Sequence, residues 1–239
     1  MANGDIKYKR ILLKISGEAL AGEVKNGVED SAVRKICEVI KNVTEMGVQV
    51  GVVIGGGNFW RGRTGGEMDR ARADHMGMLA TVMNSIALQD GLRQVGVEAR
   101  VMTAIEIVEV AEPYNIEKAI RHLEKGRVVI IGGGTGAPFF STDTAAALRA
   151  AEIKADALMM MKNIGYIYTD DPKKNPDAQK IYEITYDEIL AKKLSVIDFT
   201  ATSFCMDRKI PIVIFGMEAP DKIADAIRGE NIGTIVKEA

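Results

Sequence analysis

The chain has 239 residues, 47% of them hydrophobic, so it can bury a substantial core, while 31 basic and 33 acidic residues leave a formal charge of -2. This balance argues against general attraction to nucleic acid or anionic lipid, and two cysteines outside any CxxC spacing with only two histidines argue against a disulfide framework or a histidine-rich metal centre. Because no apolar run is long enough for a leader or a membrane span, we expect a cytoplasmic protein that binds neither nucleic acid nor membrane.

Short apolar segments along the chain predict buried strands, because they are rich in β-branched residues and lack a polar face. In chain order they cover residues 10–15, 48–54, 99–102, 128–131, 157–161 and 210–215. Strands that are apolar on both faces belong inside a sheet that helices cover.

A helical pattern follows the first strand, because apolar residues recur there one helical turn apart. These residues are Val33, Ile36, Ile40 and Val43. We expect Ser31 to cap the start of this helix and Gly47 to end it.

Similar signals mark the later helices. A second pattern begins at Ile116 and should end at Gly126. Thr185 and Glu188 have the spacing of a capping box, and Pro220 suits the first turn of a last helix.

The alternation of strands and helices indicates the fold class. We expect an α/β protein, a three-layer αβα sandwich with a mostly parallel central sheet. No internal repeat or interdomain linker is evident, so residues 1–239 should form a single domain. In such a sheet ligands bind at the carboxyl ends of the strands.

Glycine-bearing turns follow three of the predicted strands, at residues 14–17, 55–58 and 132–138. Glycine lets the backbone approach a phosphate closely and turn its N–H groups toward the anion. One such turn has no special meaning, but three at the same sheet edge indicate a phosphate site.

Known nucleotide signatures fit this pattern only in part. The Walker sequence GxxxxGK[ST] is absent. Gly132, Gly134 and Ala137 satisfy GxGxxA, the dinucleotide signature, but the Pro-Phe-Phe sequence at 138–140 occupies the place where a Rossmann helix should begin. The next strand, ending near Lys162, also lacks a terminal carboxylate for a ribose.

Three basic residues near these turns are candidates for phosphate contacts. Lys14 lies in an apolar strand, where a lysine is costly to bury unless it meets an anion. Arg61 and Arg63 follow the second glycine turn closely and could add cationic contacts, although either could equally be a surface arginine.

Acidic and hydroxyl residues mark two helix starts. Asp74 stands before an apolar helical pattern, and its position alone favours a role as N-cap. The Ser-Thr-Asp sequence at 141–143 opens another helix beside the third glycine turn. A cap explains one of its hydroxyls but not all three side chains.

The polar segment 169–180 carries two prolines and should be an exposed loop. Its composition fits a mobile lid and a solvated turn equally well.

Four sequence blocks carry a family resemblance. They read KISGEAL at 14–20, VVIGGGNFWRG at 52–62, DHMGMLATVMN at 74–84 and GTGAPFFSTD at 134–143. In order and content they resemble the bacterial UMP kinases of the amino acid kinase superfamily. Aspartokinase, carbamate kinase and acetylglutamate kinase share the lysine and glycine framework without the last two blocks.

The resemblance implies a fold and a reaction. The fold would be the amino acid kinase fold, with residues 1–239 as one amino acid kinase domain. The enzyme would transfer the γ-phosphoryl group of ATP to UMP, giving ADP and UDP in pyrimidine nucleotide biosynthesis. Its catalytic residues would be Lys14, Arg61 and Asp143. Mg²⁺ would reach the site on the ATP phosphates rather than through protein ligands.

The resemblance also implies binding residues. ATP would contact Lys14, Ser16, Gly17, Gly57, Arg61, Lys162, Tyr168 and Asp171. UMP would contact Gly56, Asp74, Thr135, Gly136, Ala137, Pro138, Phe139, Phe140, Ser141 and Thr142. GTP, as an activator, would bind at Gly22, Glu23, Val24, Lys25, Asn26 and Gly27. UTP would act as an inhibitor, and the chain would assemble as a homohexamer.

The lysines, arginines and glycine turns suit phosphoryl transfer, because that reaction needs positioned cations and N–H donors more than a histidine base. Two other function classes stay open at this point. One is a dehydrogenase that uses the GxGxxA turn, and the other is a nucleotide sensor without catalytic activity.

Overall fold

The computed structural model describes residues 6–61, 67–170, 172, 174–194 and 196–238. Its strands are β1 (Arg10–Ile15), β2 (Gln49–Ile54), β3 (Ala99–Thr103), β4 (Glu112–Pro113), β5 (Val128–Gly132), β6 (Ala157–Lys162), β7 (Ile167–Tyr168), β8 (Lys180–Ile181), β9 (Glu183–Thr185), β10 (Ile212–Gly216) and β11 (Thr234–Lys237). Within these ranges one sheet has the order β4-β3-β5-β2-β1-β6-β10-β11-β9. Its central pairs are parallel, and within the described part of this sheet only the β10–β11 pair is antiparallel. Strands β7 and β8 form a separate two-stranded antiparallel sheet.

Helices connect the strands and cover the sheet. They are α1 (Glu18–Ala21), α2 (Asp30–Glu45), α3 (Arg70–Gln94), α4 (Ile116–Glu124), α5 (Thr142–Glu152), α6 (Tyr186–Ala191), α7 (Phe199–Arg208) and α8 (Ile223–Ile227). In the described part of the chain, no helix combines the length and apolar character that crossing a bilayer requires.

Two hydrophobic layers pack against opposite faces of the sheet. One contains side chains of α2, α3 and α8, and the other contains side chains of α4, α5, α6 and α7. In β1, Ile11 and Leu13 belong to the first layer, whereas Leu12 belongs to the second. This alternation confirms the predicted three-layer αβα sandwich, and it gives Lys14 the same face as Leu12, toward α5.

The main strands and helices confirm the sequence predictions. Each of the six predicted strands overlaps an observed one, with ends that shift by no more than two residues. Gly47 and Gly126 follow the ends of α2 and α4 with φ of +85° and +74°, as helix-ending glycines do. Thr185 and Glu188 form a capping box at α6, and Pro220 begins a 3₁₀ turn directly before α8.

Two predicted caps are wrong. Ser31 does not cap α2, because the helix begins at Asp30 and Glu29 occupies the N-cap position. Asp74 does not cap α3 either, because the helix begins at Arg70 and the Asp69 carboxylate accepts from the backbone N–H of Arg72 at 3.1 Å. Asp74 therefore lies in the second turn, where its carboxylate is available for other contacts.

Helix α3 has an unusual distribution of side chains. Its buried face toward the sheet carries the polar residues Thr81, Asn84 and Ser85. Its outer face carries large apolar residues that are 39–49% exposed. They are Met76, Leu79, Met83 and Ile86. An amphipathic surface helix would show the reverse pattern, so both faces of α3 need a separate explanation.

The segment 169–180 connects β7 to β8, which pair antiparallel at Ile167 with Ile181 and Tyr168 with Lys180. The described residues of this segment therefore belong to the tip of a hairpin. Movement of this tip over the site, as a lid, stays a prediction.

Candidate active site

A cavity of about 980 Å³ lies at the carboxyl ends of β1, β2, β5 and β6. Its walls come from the three glycine turns, the first half of α3, the start of α5 and residues 196–200. The strands that end here are parallel neighbours in the sheet, so one edge gathers segments that are far apart in sequence.

Asp143 bridges two lysines at the base of this cavity. One carboxylate oxygen lies 3.1 Å from the Lys14 ammonium nitrogen, and the other lies 2.6 Å from that of Lys162. Lys162 also donates to the backbone carbonyl of Val196. Lys14 is only 8% exposed, which is possible because Asp143 compensates its charge.

The charges in this cluster shift its titration. Burial acts to raise the pKa of Asp143, but attraction to Lys14 and Lys162 outweighs it, so the pKa of this carboxyl lies below its usual value. Burial lowers the pKa of Lys162, and attraction to Asp143 only partly opposes that effect. Asp143 is thus a stable anion near neutral pH and holds both lysines at the cavity base.

A second ion pair lies at the rim, between Arg61 and Glu18. Glu18 also accepts from the hydroxyl of Ser16 at 2.8 Å. Burial acts to raise the pKa of Glu18, but the hydrogen bonds it accepts, together with Arg61 and Lys14, lower it overall. Glu18 therefore holds Arg61 beside the first glycine turn.

A third charged contact connects α3 to the third glycine turn. Both carboxylate oxygens of Asp74 lie 3.0 Å from the Nε of Arg70, and one accepts from the backbone N–H of Phe139 at 2.8 Å. Phe139 has a φ of +73°, which is unfavourable for a bulky residue. The Asp74 contact therefore stabilises a strained turn across the cavity mouth.

Two helices begin at the cavity. Ser141 caps α5 by accepting from the backbone N–H of Thr144 at 3.1 Å, and Asp198 caps α7 by accepting from that of Ala201 at 2.8 Å. The Asp198 carboxylate also accepts from the hydroxyls of Ser141 and Thr144, so it joins the two helix starts. Helix N-termini favour anions, so this wall suits a phosphate.

Close backbone approach explains two of the cavity glycines. A Cβ at Gly17 would lie 2.4 Å from the side-chain oxygen of Asn58 and 2.6 Å from the Gly55 carbonyl oxygen. A Cβ at Gly56 would lie 2.7 Å from the Gly77 carbonyl oxygen. Both positions require glycine because neighbouring backbone leaves no room for a side chain.

Comparison with known proteins assigns the family. The amino acid kinase family profile matches residues 9–216, most of the chain. The chain belongs to the amino acid kinase family. It is similar to the UMP kinase of Bacillus anthracis, with 36% identity and a TM-score of 0.94 over 97% of this chain and 96% of that one. It is also similar to the UMP kinase of Ureaplasma parvum, with 35% identity and a TM-score of 0.91 over 98% of this chain and 100% of that one.

The structure of this amino acid kinase brings many of the predicted site residues together. Those lining the cavity are Lys14, Ser16, Gly17, Gly56, Gly57, Arg61, Asp74, Thr135, Ala137, Phe139, Phe140, Ser141, Thr142, Asp143 and Lys162. Gly136 and Pro138 belong to the same turn without lining the cavity, and Tyr168 lies on the β7–β8 hairpin. Arg63 and Asp171 lie outside the described residues.

The segment predicted to bind GTP lies apart from this cavity lining. It forms a short 3₁₀ turn at Gly22–Val24, followed by Lys25 and Gly27, both with positive φ. Gly27 connects to the second glycine turn, since its N–H donates to the backbone carbonyl of Asn58 at 3.0 Å.

Sequence reasoning missed several cavity residues, chiefly Glu18, Arg70 and Asp198. Glu18 and Asp198 depend on partners that are distant in sequence, Arg61 and Ser141 respectively. Arg70 instead pairs with Asp74, four residues later in the same helix. The only sequence signal was a carboxylate before a helical pattern, which also marks an ordinary cap.

The GxGxxA turn adopts a geometry unlike a dinucleotide site. Helix α5 begins at Thr142, nine residues beyond Gly133, because the Pro-Phe-Phe sequence intervenes as expected. A Rossmann helix instead begins within its glycine turn. The family assignment and this geometry both favour a kinase over a dehydrogenase.

Proposed function

We propose that this amino acid kinase transfers the γ-phosphoryl group of ATP to UMP, giving ADP and UDP in pyrimidine nucleotide biosynthesis. The observation that carries the proposal is the Lys14–Asp143–Lys162 bridge at the base of a cavity lined by glycine turns. Phosphoryl transfer requires such fixed cations and N–H donors. Similarity to two UMP kinases over nearly the whole chain supports UMP as the acceptor.

The cations are held by carboxylates before any nucleotide binds. Within the described ranges, each cationic side chain lining the cavity faces an acid: Lys14 and Lys162 face Asp143, Arg61 faces Glu18, and Arg70 faces Asp74. A bound phosphate would replace these carboxylates as the partner of Arg61 or Arg70. Pairing thus orients the cations in advance, which reduces the reorganisation that binding requires.

We assign the donor and acceptor to opposite sides of the cavity. ATP phosphates would contact Lys14, the Ser16–Gly17 turn, Gly57, Arg61 and Lys162, with adenine toward Tyr168 and Asp171. UMP would lie between α3 and the third glycine turn, with its ribose on Asp74 and its base against residues 135–142. Asp143 would keep both lysines aligned during transfer. The shared cavity supports this arrangement.

Mg²⁺ would enter with ATP. Among the described residues, no cluster of three or more His, Cys, Asp or Glu side chains could hold a metal ion by itself. The Asp143 carboxylate lines the cavity, but it is occupied by two lysines. This donor set fits an ion that ATP oxygens and water coordinate, and such an ion would neutralise phosphate charge.

The experiment that tests the proposal incubates the full chain with MgATP and UMP and separates the products by ion-exchange chromatography. We expect UDP and ADP in equal amounts. ADP without UDP would mean simple ATP hydrolysis and would contradict the proposal. Binding of both nucleotides without either product would instead support the sensor function.

We also propose that the chain assembles through the outer face of α3, consistent with the expected homohexamer. Antiparallel packing of two α3 helices about an axis midway between residues 79 and 83 would pair Leu79 with Met83. It would also pair Met76 with Ile86. The same packing pairs the exposed Arg72 with the exposed Asp90, so charge as well as apolar area matches a second copy.

Sedimentation measurements test this assembly. The double substitution Leu79→Glu with Met83→Glu should reduce the size of the oligomer. The matched control is Ile116→Glu, which changes a residue of α4 that is 41% exposed and should leave the size unchanged. A wild-type monomer, or a double variant of wild-type size, would contradict the proposal.

GTP activation at residues 22–27 and UTP inhibition are further proposals that come with the family. Initial rates with each nucleotide added at fixed MgATP and UMP test both. Lys25→Ala should reduce the GTP effect without changing the rate in its absence. An equal GTP effect in that variant would place the activator elsewhere.

A further inference from the structure

A pair of buried asparagines connects α3 to the second glycine turn. Asn58 is 1% exposed and Asn84 is 0% exposed. Each side-chain amide donates to the other, with distances of 2.9 Å from Asn58 and 2.7 Å from Asn84. Both residues belong to the sequence blocks that carry the family resemblance, yet neither lines the cavity.

The remaining amide donors of this pair go to two separate backbone segments. Asn84 Nδ2 donates to the carbonyl of Gly55 at 2.7 Å. Asn58 Nδ2 donates to the carbonyl of Gly27 at 2.6 Å, and the Asn58 backbone carbonyl accepts from the Gly27 N–H. Each side chain thus uses both of its N–H donors, which is required of amides at this depth.

The Gly55 contact fixes the orientation of one peptide group. In a planar trans peptide the C=O and the following N–H point in opposite directions. When Asn84 holds the Gly55 carbonyl, the N–H of Gly56 must point away from Asn84. That N–H makes no hydrogen bond to any residue in the described ranges, and Gly56 lines the cavity.

We infer that Asn58 and Asn84 act as one positioning unit that presents the Gly56 N–H to the acceptor phosphate and ties this peptide to Gly27. The inference rests on the proposed function for the identity of the phosphate. Asn84 is a positioning residue because it acts on the ligand only through the Gly55–Gly56 peptide. An aliphatic residue at position 84 would fill the space but would leave the Gly55 carbonyl unpaired and its peptide free to rotate.

The chain offers a matched control for this role. Ser85 adjoins Asn84 and is also 0% exposed, but its hydroxyl donates to the Thr81 carbonyl at 2.7 Å, within α3 itself. Ser85→Ala therefore removes a buried hydrogen bond within α3 and leaves every hydrogen bond to the second glycine turn in place. A purely structural role of Asn84 should produce the same pattern of effects as this control.

The experiment compares wild type, Asn84→Ser and Ser85→Ala by hydrogen–deuterium exchange and by steady-state kinetics. In Asn84→Ser we expect faster exchange in the ligand-free protein at Phe59, Trp60 and Gly27, whose amides donate to backbone carbonyls. We expect kcat/KM for UMP to fall by about a hundredfold, since a small displacement of a positioning group has effects of this size. The KM for ATP should stay close to the wild-type value in Asn84→Ser. In Ser85→Ala, both the exchange rates and kcat/KM for UMP should stay close to wild type.

Unchanged exchange at both segments in Asn84→Ser would overturn the inference, as would kinetics that match Ser85→Ala. If Asn84→Ser fails to fold, Asn58→Ser serves as the second variant, because it keeps the Asn84–Gly55 contact. It should speed exchange at Gly27 more than at Phe59 and Trp60, whose amides donate to the Gly56 carbonyl.

A measurement on wild type separates the inference from the proposed function. The Gly56 amide should exchange rapidly in the ligand-free protein and slowly with saturating UMP. Slow exchange without ligand would overturn the inference. Lack of UDP formation by wild type would overturn the proposed function instead, and the ligand-free exchange comparison would still decide the role of the asparagines.

Discussion

The carboxylate of Asp143 lies 3.1 Å from the ammonium nitrogen of Lys14, across the short distance between the start of α5 and the end of β1. A lysine in an apolar strand is unfavourable without such a partner. The same carboxylate contacts Lys162, so a single acid organises two cations that would otherwise repel each other.

Lys14→Ala should lower turnover by about a thousandfold, as loss of a charge that stabilises a transition state does. The fold should survive, because Asp143 keeps Lys162 as a partner. Steady-state kinetics together with circular dichroism test this expectation. Lys125→Ala is the matched control, since Lys125 is exposed at the end of α4, toward the opposite sheet edge. A folded Lys14→Ala variant with more than half of wild-type turnover would contradict the assignment.

Asp143→Asn should destabilise the chain at neutral pH by about 3 kcal/mol or more, because it leaves two buried lysines without their anion. The pKa of Asp143 is lowered in the folded state, so its contribution is fully present above the ordinary value of 3.8 and is lost as pH falls below it. The difference in unfolding free energy between variant and wild type should therefore shrink below that pH. Urea denaturation at pH 7, 4 and 3 measures it. A constant difference would show that Asp143 is not paired as described.

The elements around Asp143 show what the sequence could predict. The strands that hold Lys14 and Lys162 were predictable, because long apolar runs identify buried strands without knowledge of their neighbours. Short strands such as β4, β7 and β8 have two residues each, too few for a periodic pattern. The hairpin and the sheet edges therefore could not be predicted.

Some site residues could likewise be predicted from local sequence, whereas others could not. Lys14 could be identified because a charged residue stands in an otherwise apolar strand, and the glycine turns could be identified because glycines directly follow predicted strands. The partner of Arg61 could not be identified, because Glu18 meets it only in the folded chain. The Arg70–Asp74 pair has the i,i+4 spacing of one helix, but it was missed because the start of α3 was placed at Asp74 rather than at Arg70. The wrong N-cap interpretation of Asp74 has a similar origin, since a polar stretch before α3 contains several possible caps and only Asp69 accepts the N–H of Arg72.

Asp74→Asn should raise the UMP dissociation constant about tenfold to a hundredfold, because a hydrogen bond to a charged acceptor contributes about 1.5 to 3 kcal/mol. Affinity for ATP should stay unchanged. Isothermal titration calorimetry with each nucleotide measures both constants. The control is Asp69→Ala, which removes the cap of α3 and should cost about 1 kcal/mol of stability without weakening UMP binding. Equal effects of the two variants on UMP would argue against a ribose contact.

Thr142→Val should lower the preference for UMP over CMP, because Thr142 begins α5 at the cavity wall and is our candidate for a side-chain contact with the base. The substitution keeps the shape and removes the hydroxyl, so turnover with saturating UMP should change less than the ratio of kcat/KM values. Thr200→Val is a suitable control, since Thr200 lines the same cavity but belongs to α7 rather than to α5. An unchanged ratio in Thr142→Val would assign base recognition to the backbone of that turn.

The most direct test of the central claim is the ratio of kcat/KM for UMP and CMP at saturating MgATP, measured by coupled detection of ADP, with AMP and GMP as further acceptors. Uracil presents an N3–H donor beside an O4 acceptor, whereas cytosine presents an N3 acceptor beside an N4 amine. Each group left unpaired costs about 1 to 3 kcal/mol, so two reversed contacts predict a preference for UMP of about a hundredfold or more. A ratio near one, or faster turnover of a purine nucleotide, would contradict the assignment of this cavity to UMP.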